Sequence, residues 1–178
     1  MRHLLIYPMI HINGSNSYKK SLEDIAKKVM KNKLLKNKIT LELIATFQID
    51  LDSINNLWTN FMEYLKSIPK FDRLYLEGNS IRYKNPKVNY TDDGKMIECI
   101  DYLAKSGAVF EKTEIKIFGR LAKLDKKFQY FREFYVCRKI NETLLDNERG
   151  VLLYGESHAG NLIKRISRMK NTSFEVYR

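Results

Sequence analysis

The stretch from Val151 to Arg165, Val-Leu-Leu-Tyr-Gly-Glu-Ser-His-Ala-Gly-Asn-Leu-Ile-Lys-Arg, constrains the fold more than any other part of the chain. An unbroken apolar run stops at Gly155, two polar side chains and His158 follow, and an amphipathic pattern resumes after Gly160. This reads as strand, tight turn and helix. The amino terminus repeats the arrangement: the residues from His3 to Pro8 form a short apolar strand, and His11 stands just past its end. A helical pattern of Tyr18, Leu22, Ile25 and Val29 comes next, with lysines on its other face. Two histidines thus leave the carboxyl ends of two strands, and if those strands are parallel neighbours both face one crevice.

The middle of the chain continues the alternation. Residues 39–49 suit either a strand or a helix, and the stripe Ile54, Leu57, Trp58, Phe61, Met62 and Leu65 predicts a helix that Pro69 stops. The run from Arg73 to Leu76 is a strand ending in Glu77 and Gly78, and Asn79 to Tyr90 is a polar connection long enough to act as a lid. A helix with Met96, Ile97, Ile100, Leu103 and Ala104 inward closes at Gly107, and a short strand from Ala108 has Glu114 just beyond its end. Residues 115–145 carry two helices, the second with Phe128, Phe131, Phe134 or Tyr135, Arg138 and Ile140 expected in the core, and Ser173 to Tyr177 supplies a last edge strand. Apolar strands alternating with amphipathic helices predict an α/β fold, a mostly parallel central sheet flanked by helices with an active-site crevice at the strand carboxyl ends.

At 178 residues the chain is expected to form a single domain over 1–178. Cys99 and Cys137 lie far apart inside helical patterns, without a Cys-x-x-Cys, and read as reduced core thiols. The amino-terminal apolar stretch is too short for a signal peptide, and no window reaches the length of a membrane span, so the expectation is a cytoplasmic protein with no membrane partner. The formal charge of +11 comes mainly from lysines on polar helix faces. A solvated surface explains it, and a nucleic-acid partner is the sharper alternative, though no nucleic-acid-binding motif is present.

The polar groups expected at strand ends are His11, Glu77, Glu114, Glu156 and His158. Two imidazoles and a carboxylate are what a divalent Zn, Mn or Fe site requires, with His11, Glu77 and His158 as its ligands. The same three could act without metal, a histidine or glutamate activating water while a carboxylate fixes its tautomer. Glu114 and Glu156 would then support them, and Arg132 could neutralise an anionic substrate or intermediate. Residues 155–160 spell Gly-x-x-x-x-Gly, but Asn161 and Leu162 stand where a phosphate-binding loop needs Lys and Ser or Thr. Ser157 sits in a degenerate nucleophile elbow, yet the only histidine downstream is its neighbour, so His11 would have to serve as its base.

His11 after the first strand, Glu77 after a middle strand, Arg132-Glu133 opening a helix and Gly155-x-x-His158 after a late strand resemble the TraB/PrgY and TIKI proteins and their wider erythromycin-esterase and ChaN-like relatives. The order of elements is similar over nearly the whole chain, especially to small prokaryotic members with an early Ile-His and a late Gly-x-x-His. The resemblance implies one site built from His11, Glu77 and His158, with Arg132 as a helper. In TIKI-like members that site supports metal-dependent peptide hydrolysis, in esterase-like members metal-free ester hydrolysis, and in ChaN-like members haem binding. The chain departs from the pattern at Pro8, where a first Gly-x-x-His would have glycine, and carries no membrane or export segment. The reading is therefore a hydrolase-like domain acting on a small-molecule or peptide substrate. The alternatives are a small-ligand or haem-binding protein without turnover and a basic nucleic-acid-binding accessory protein.

Overall fold

The computed structural model describes residues 1–9, 56–79, 82–84, 94–122, 125 and 127–177, with the backbone alone at Glu156, Ser157 and a few other positions. Its elements in chain order are β1 (Arg2–Met9), α1 (residues 56–67), β2 (Arg73–Leu76), β3 (Tyr83–Lys84), α2 (Gly94–Lys105) and β4 (Val109–Glu111). They continue with α3 (Lys116–Ala122), α4 (Lys127–Thr143), β5 (Arg149–Gly155), α5 (Glu156–Ile166) and β6 (Thr172–Val176). These strands form one sheet in the order β3-β4-β2-β5-β1-β6. Five of them run parallel, and only the two-residue β3, inside the connection expected as a lid, joins antiparallel. The expected α/β fold with a mostly parallel sheet is what the chain forms.

The chain divides into two compact units. One comprises Met1–Ile10, Ile68–Val88 and Ile100–Arg178, the other His11–Ser67 and Asn89–Cys99. In the second unit Trp58 and Phe61 pack edge to face on α1 with ring centroids 6.0 Å apart, and the Cys99 thiol donates to the Trp58 carbonyl at 3.5 Å. Burial pushes the Cys99 and Cys137 thiols up to about 12, so both are protonated and poor nucleophiles at neutral pH.

The first unit holds the sheet. Every residue of β5 from Gly150 to Gly155 is buried, the pattern of a parallel strand covered on both faces. On one face Leu4, Ile6, Tyr75, Leu152 and Tyr154 pack with Val136, Cys137 and Ile140 of α4 and Leu162 and Ile166 of α5. The expected core stripe of α4 is therefore right at Ile140 and wrong at Phe131, Phe134 and Arg138. Phe131 and Phe134 are 48% and 52% exposed, whereas Ile140 is buried as expected, together with Glu133, Val136 and Cys137. The expected turn between Gly155 and Gly160 is also absent, because α5 starts at Glu156 and carries Gly160 within it.

Two local devices fix the sheet's ends. Arg2 donates from its guanidinium to the carbonyls of Asn141 and Leu144 at 3.0 and 3.2 Å, placing a cation on the exposed carbonyls that end α4, and to the Lys170 carbonyl at 3.1 Å before β6. Gly107 takes φ +91° and ends the turn after α2, where a left-handed residue lets the chain enter β4. The topology also locates a crevice. The chain leaving β2 runs to β3 and then β4 on one side, whereas that leaving β5 passes β1 to reach β6 on the other, so the two diverge at the carboxyl ends of adjacent strands.

Candidate functional site

Glu77 leaves β2 and His158 follows β5, so both stand at that divergence. Gly78 at φ +78° turns the chain back after Glu77, and Asn79 then accepts from the backbone N–H groups of Thr113 and Glu114 at 2.8 and 2.9 Å. The Asn79 amide donates to the Glu111 carbonyl at 2.7 Å, and the Thr113 hydroxyl donates to the Leu76 carbonyl. These bonds tie the ends of β2 and β4 together and set Glu114 beside Glu77. The Glu77 carboxylate accepts from the Gly155 N–H at 2.6 Å, which puts a negative charge at the amino end of α5.

Arg132 of α4 reaches between the two acids. Its terminal nitrogen donates to Glu77 at 3.4 Å, and its Nε lies 2.7 Å from Glu114 Oε1, an ion pair without the alignment of a hydrogen bond. Burial works against the Arg132 charge, but the nearby Tyr154, Glu114 and Glu77 outweigh it and raise its pKa. The guanidinium expected to meet an anionic substrate is thus matched by two carboxylates of the protein itself.

A second chain of polar contacts runs from the same arginine to the histidine. Arg132 donates to Gln129 Oε1 at 3.1 Å, which turns the Gln129 amide nitrogen toward His158, where it meets both ring nitrogens. On its other side His158 Nδ1 lies 3.1 Å from Glu133 Oε1, and Asn161 donates to the same oxygen at 3.4 Å. Glu133 is 2% exposed. The Glu133 carboxylate selects the tautomer: Nδ1 carries the proton and donates to Glu133, while Nε2 keeps a lone pair that accepts from Gln129, so that the contact of Gln129 with Nδ1 is not a hydrogen bond.

Tyr154 completes the cluster. Its ring packs edge-on to the His158 ring at 5.6 Å, and its hydroxyl, on a residue only 1% exposed, has no hydrogen-bond partner among the described residues. Burial, helped by the charges of Glu77, Glu114 and Glu133 and opposed by that of Arg132, raises the phenol well above its ordinary pKa, so it stands as a protonated donor. A buried hydroxyl left unpaired costs stability, which marks a place where a ligand atom has something to gain.

The structure therefore brings together four residues expected from sequence, Glu77, Glu114, Arg132 and His158. His11 lies outside the described residues, as does the polar turn after it. Glu156 opens α5, and its side chain is outside what is described. The expected metal ligands can be compared only in part: both Glu77 oxygens face protein donors, and no cluster of three His, Cys, Asp or Glu among the described residues could hold an ion. Sequence reasoning assigned no role to Gln129, Glu133 or Tyr154. The signal for Glu133 was present, since a carboxylate at helical spacing from Val136, Cys137 and Ile140 occupies a position otherwise reserved for core.

No family model matches the chain, and no curated protein or solved structure does either.

Proposed function

We propose that this chain is a hydrolase in which His158, held by Glu133, activates water against a carbonyl bound in the crevice beyond β2 and β5. The observation that carries the reading is the 3.1 Å contact between His158 Nδ1 and the buried Glu133 carboxylate. A carboxylate on Nδ1 leaves Nε2 as the free base and stabilises the imidazolium formed when that base takes a proton. Water or substrate replaces the Gln129 amide at Nε2, the water oxygen attacks the carbonyl carbon, and its proton passes to Nε2. Tyr154 donates to the oxyanion that develops, filling the hydrogen bond it lacks. Collapse of the tetrahedral intermediate expels the alcohol or amine, which leaves with the proton from Nε2. Arg132, Glu77 and Glu114 form the rigid charged floor that orients Gln129. The likeness of Gly155-x-x-His158 and Glu77 to the esterase-like relatives supports the same assignment, and those relatives act without metal.

The test is hydrolysis of a panel of activated esters and peptides by wild type, His158→Ala and Glu133→Gln, each assayed with and without chelator. Loss of His158 should lower kcat by about 10²–10⁴-fold, and Glu133→Gln should lower it while retaining the circular-dichroism spectrum and the melting transition. Activity indifferent to both substitutions would end this reading. Activity abolished by chelator and restored by Zn or Mn would replace acid-base catalysis with a metal-dependent route using His11.

A further inference from the structure

The outward stripe of α4 is the most unusual surface of the first unit. Lys127, Tyr130, Phe131, Phe134 and Arg138 recur at three- and four-residue spacing on the side opposite Glu133, Val136 and Ile140, so all five share one solvent-facing strip. Tyr130, Phe131 and Phe134 are 56%, 48% and 52% exposed. Phe131 is the hub: the Phe118 ring of α3 stacks on it at 5.9 Å, and Phe128 and Tyr130 lie 6.1 and 6.0 Å away. Arg165 of α5 sits over the Tyr130 ring at 4.2 Å from its centroid, and Lys139 lies 5.7 Å from the Tyr135 centroid. The nearby acid on this helix, Glu142, is answered by both Arg138 and Lys139, so it leaves no net negative charge on the strip.

We infer that this strip binds a single-stranded polynucleotide, the bases stacking on Phe131, Tyr130 and Phe134 and the phosphates meeting Arg165, Lys127 and Arg138. Flat aromatic faces beside guanidinium and ammonium groups are what unpaired bases and their backbone require, because every base offers a π-face and every linkage a charge. A second copy of the chain fits poorly, since pairing this strip with itself would bring like cations together on molecules that each carry +11. A bilayer fits poorly as well, because Ile117 is the one large aliphatic side chain, 59% exposed, that α3 and α4 add to the strip among the described residues. The binding is independent of the His158 site, which lies on the opposite side of α4.

The test is fluorescence anisotropy of labelled oligouridylate and oligothymidylate of about 15 nucleotides, a length set by the footprint of known stacking surfaces, across a series of salt concentrations. Wild type should bind with an affinity that falls steeply with salt. Phe131→Ala should weaken binding about ten-fold with the salt slope unchanged, Phe131→Tyr should retain it, and Arg165→Ala should reduce the slope by roughly one unit or slightly less. Because Phe131 is half exposed, these variants should keep the wild-type melting transition, and Lys70→Ala serves as a control for charge elsewhere. Absence of binding at low salt would overturn the proposal, as would equal losses in Lys70→Ala and Phe131→Ala. Tighter binding of a duplex than of either single strand would overturn it too. So would Phe131-dependent binding to phosphatidylserine vesicles, or Phe131-dependent dimerisation, without any affinity for the oligonucleotides.

Discussion

Tyr154 separates stability from chemistry at the scale of one residue. Its hydroxyl is buried among Arg132, Glu77, Glu114 and Glu133 without a hydrogen bond among the described residues, while its ring is part of the core with Leu152, Val136 and Leu162. Tyr154→Phe removes only the oxygen and keeps the packing. The unliganded protein should gain about 1 kcal/mol, because an unsatisfied buried donor disappears without a cavity. The same substitution should cost about 10²-fold in kcat if the hydroxyl meets the developing oxyanion. Urea unfolding and steady-state kinetics on the one variant check both, and only a functional hydroxyl predicts the two changes with opposite sign. Lower stability together with unchanged kcat would instead make the hydroxyl a structural group.

Among the elements, β5 carries the most weight, and Gly150 shows how tightly it is fitted. A Cβ built there would lie 3.1 Å from Leu4 Cδ1, 3.1 Å from Tyr75 Cε2 and 3.2 Å from Leu144 Cδ1. Gly150→Ala should therefore lower stability by about 1–3 kcal/mol, since these three side chains must shift to admit one methyl group. Thermal unfolding measures it, and a stabilised variant would show that the core has room to relax. The strand was plain in the sequence because an apolar run of this length between Gly150 and Gly155 suits little besides a doubly covered parallel strand. The amphipathic row at 94–105 was legible from its helical spacing, and that of α5 only after Gly160, because the glycine pair read as a turn. The row on α4 was not: two stripes of the helix satisfy helical spacing, and the bulkier one, Phe128, Phe131 and Phe134, was expected inward. Packing chose Val136 and Cys137 beside the expected Ile140, which left Phe131 and Phe134 outside and took Glu133 in. Glu77 and His158 were legible from their places after strands. Gln129 and Tyr154 were not, because their roles depend on which side chains the sheet order brings alongside, and local pattern carries no strand order.

For the first unit as a whole, the order of strands dictates when the site can exist. The neighbours of β1 are β5 and β6, in registers that pair His3 with Arg149 and Arg2 with Thr172. Strand β2 pairs with β4 and β5, never with β1. Before residue 149 the described strands thus form one piece of sheet, β3-β4-β2, and leave β1 without a neighbour, and β5 joins the two. The site closes at the same step: Glu77, Glu114 and Arg132 precede β5, but the Gly155 N–H that Glu77 accepts and the His158 ring on Glu133 arrive with it. Pairings over such sequence separations carry a loop-closure cost before any contact compensates it, so refolding should be slow, in the milliseconds-to-seconds range typical of non-local topologies. A fragment ending at residue 148 should lack cooperative unfolding of the sheet and all hydrolytic activity, and co-expression with residues 149–178 should restore both. Far-UV circular dichroism of the fragment during a urea titration tests the first half. A cooperative transition with strand signal in the fragment alone would mean that β1 and the β2–β4 pair find another partner, and that β5 adds the catalytic histidine to a sheet already formed.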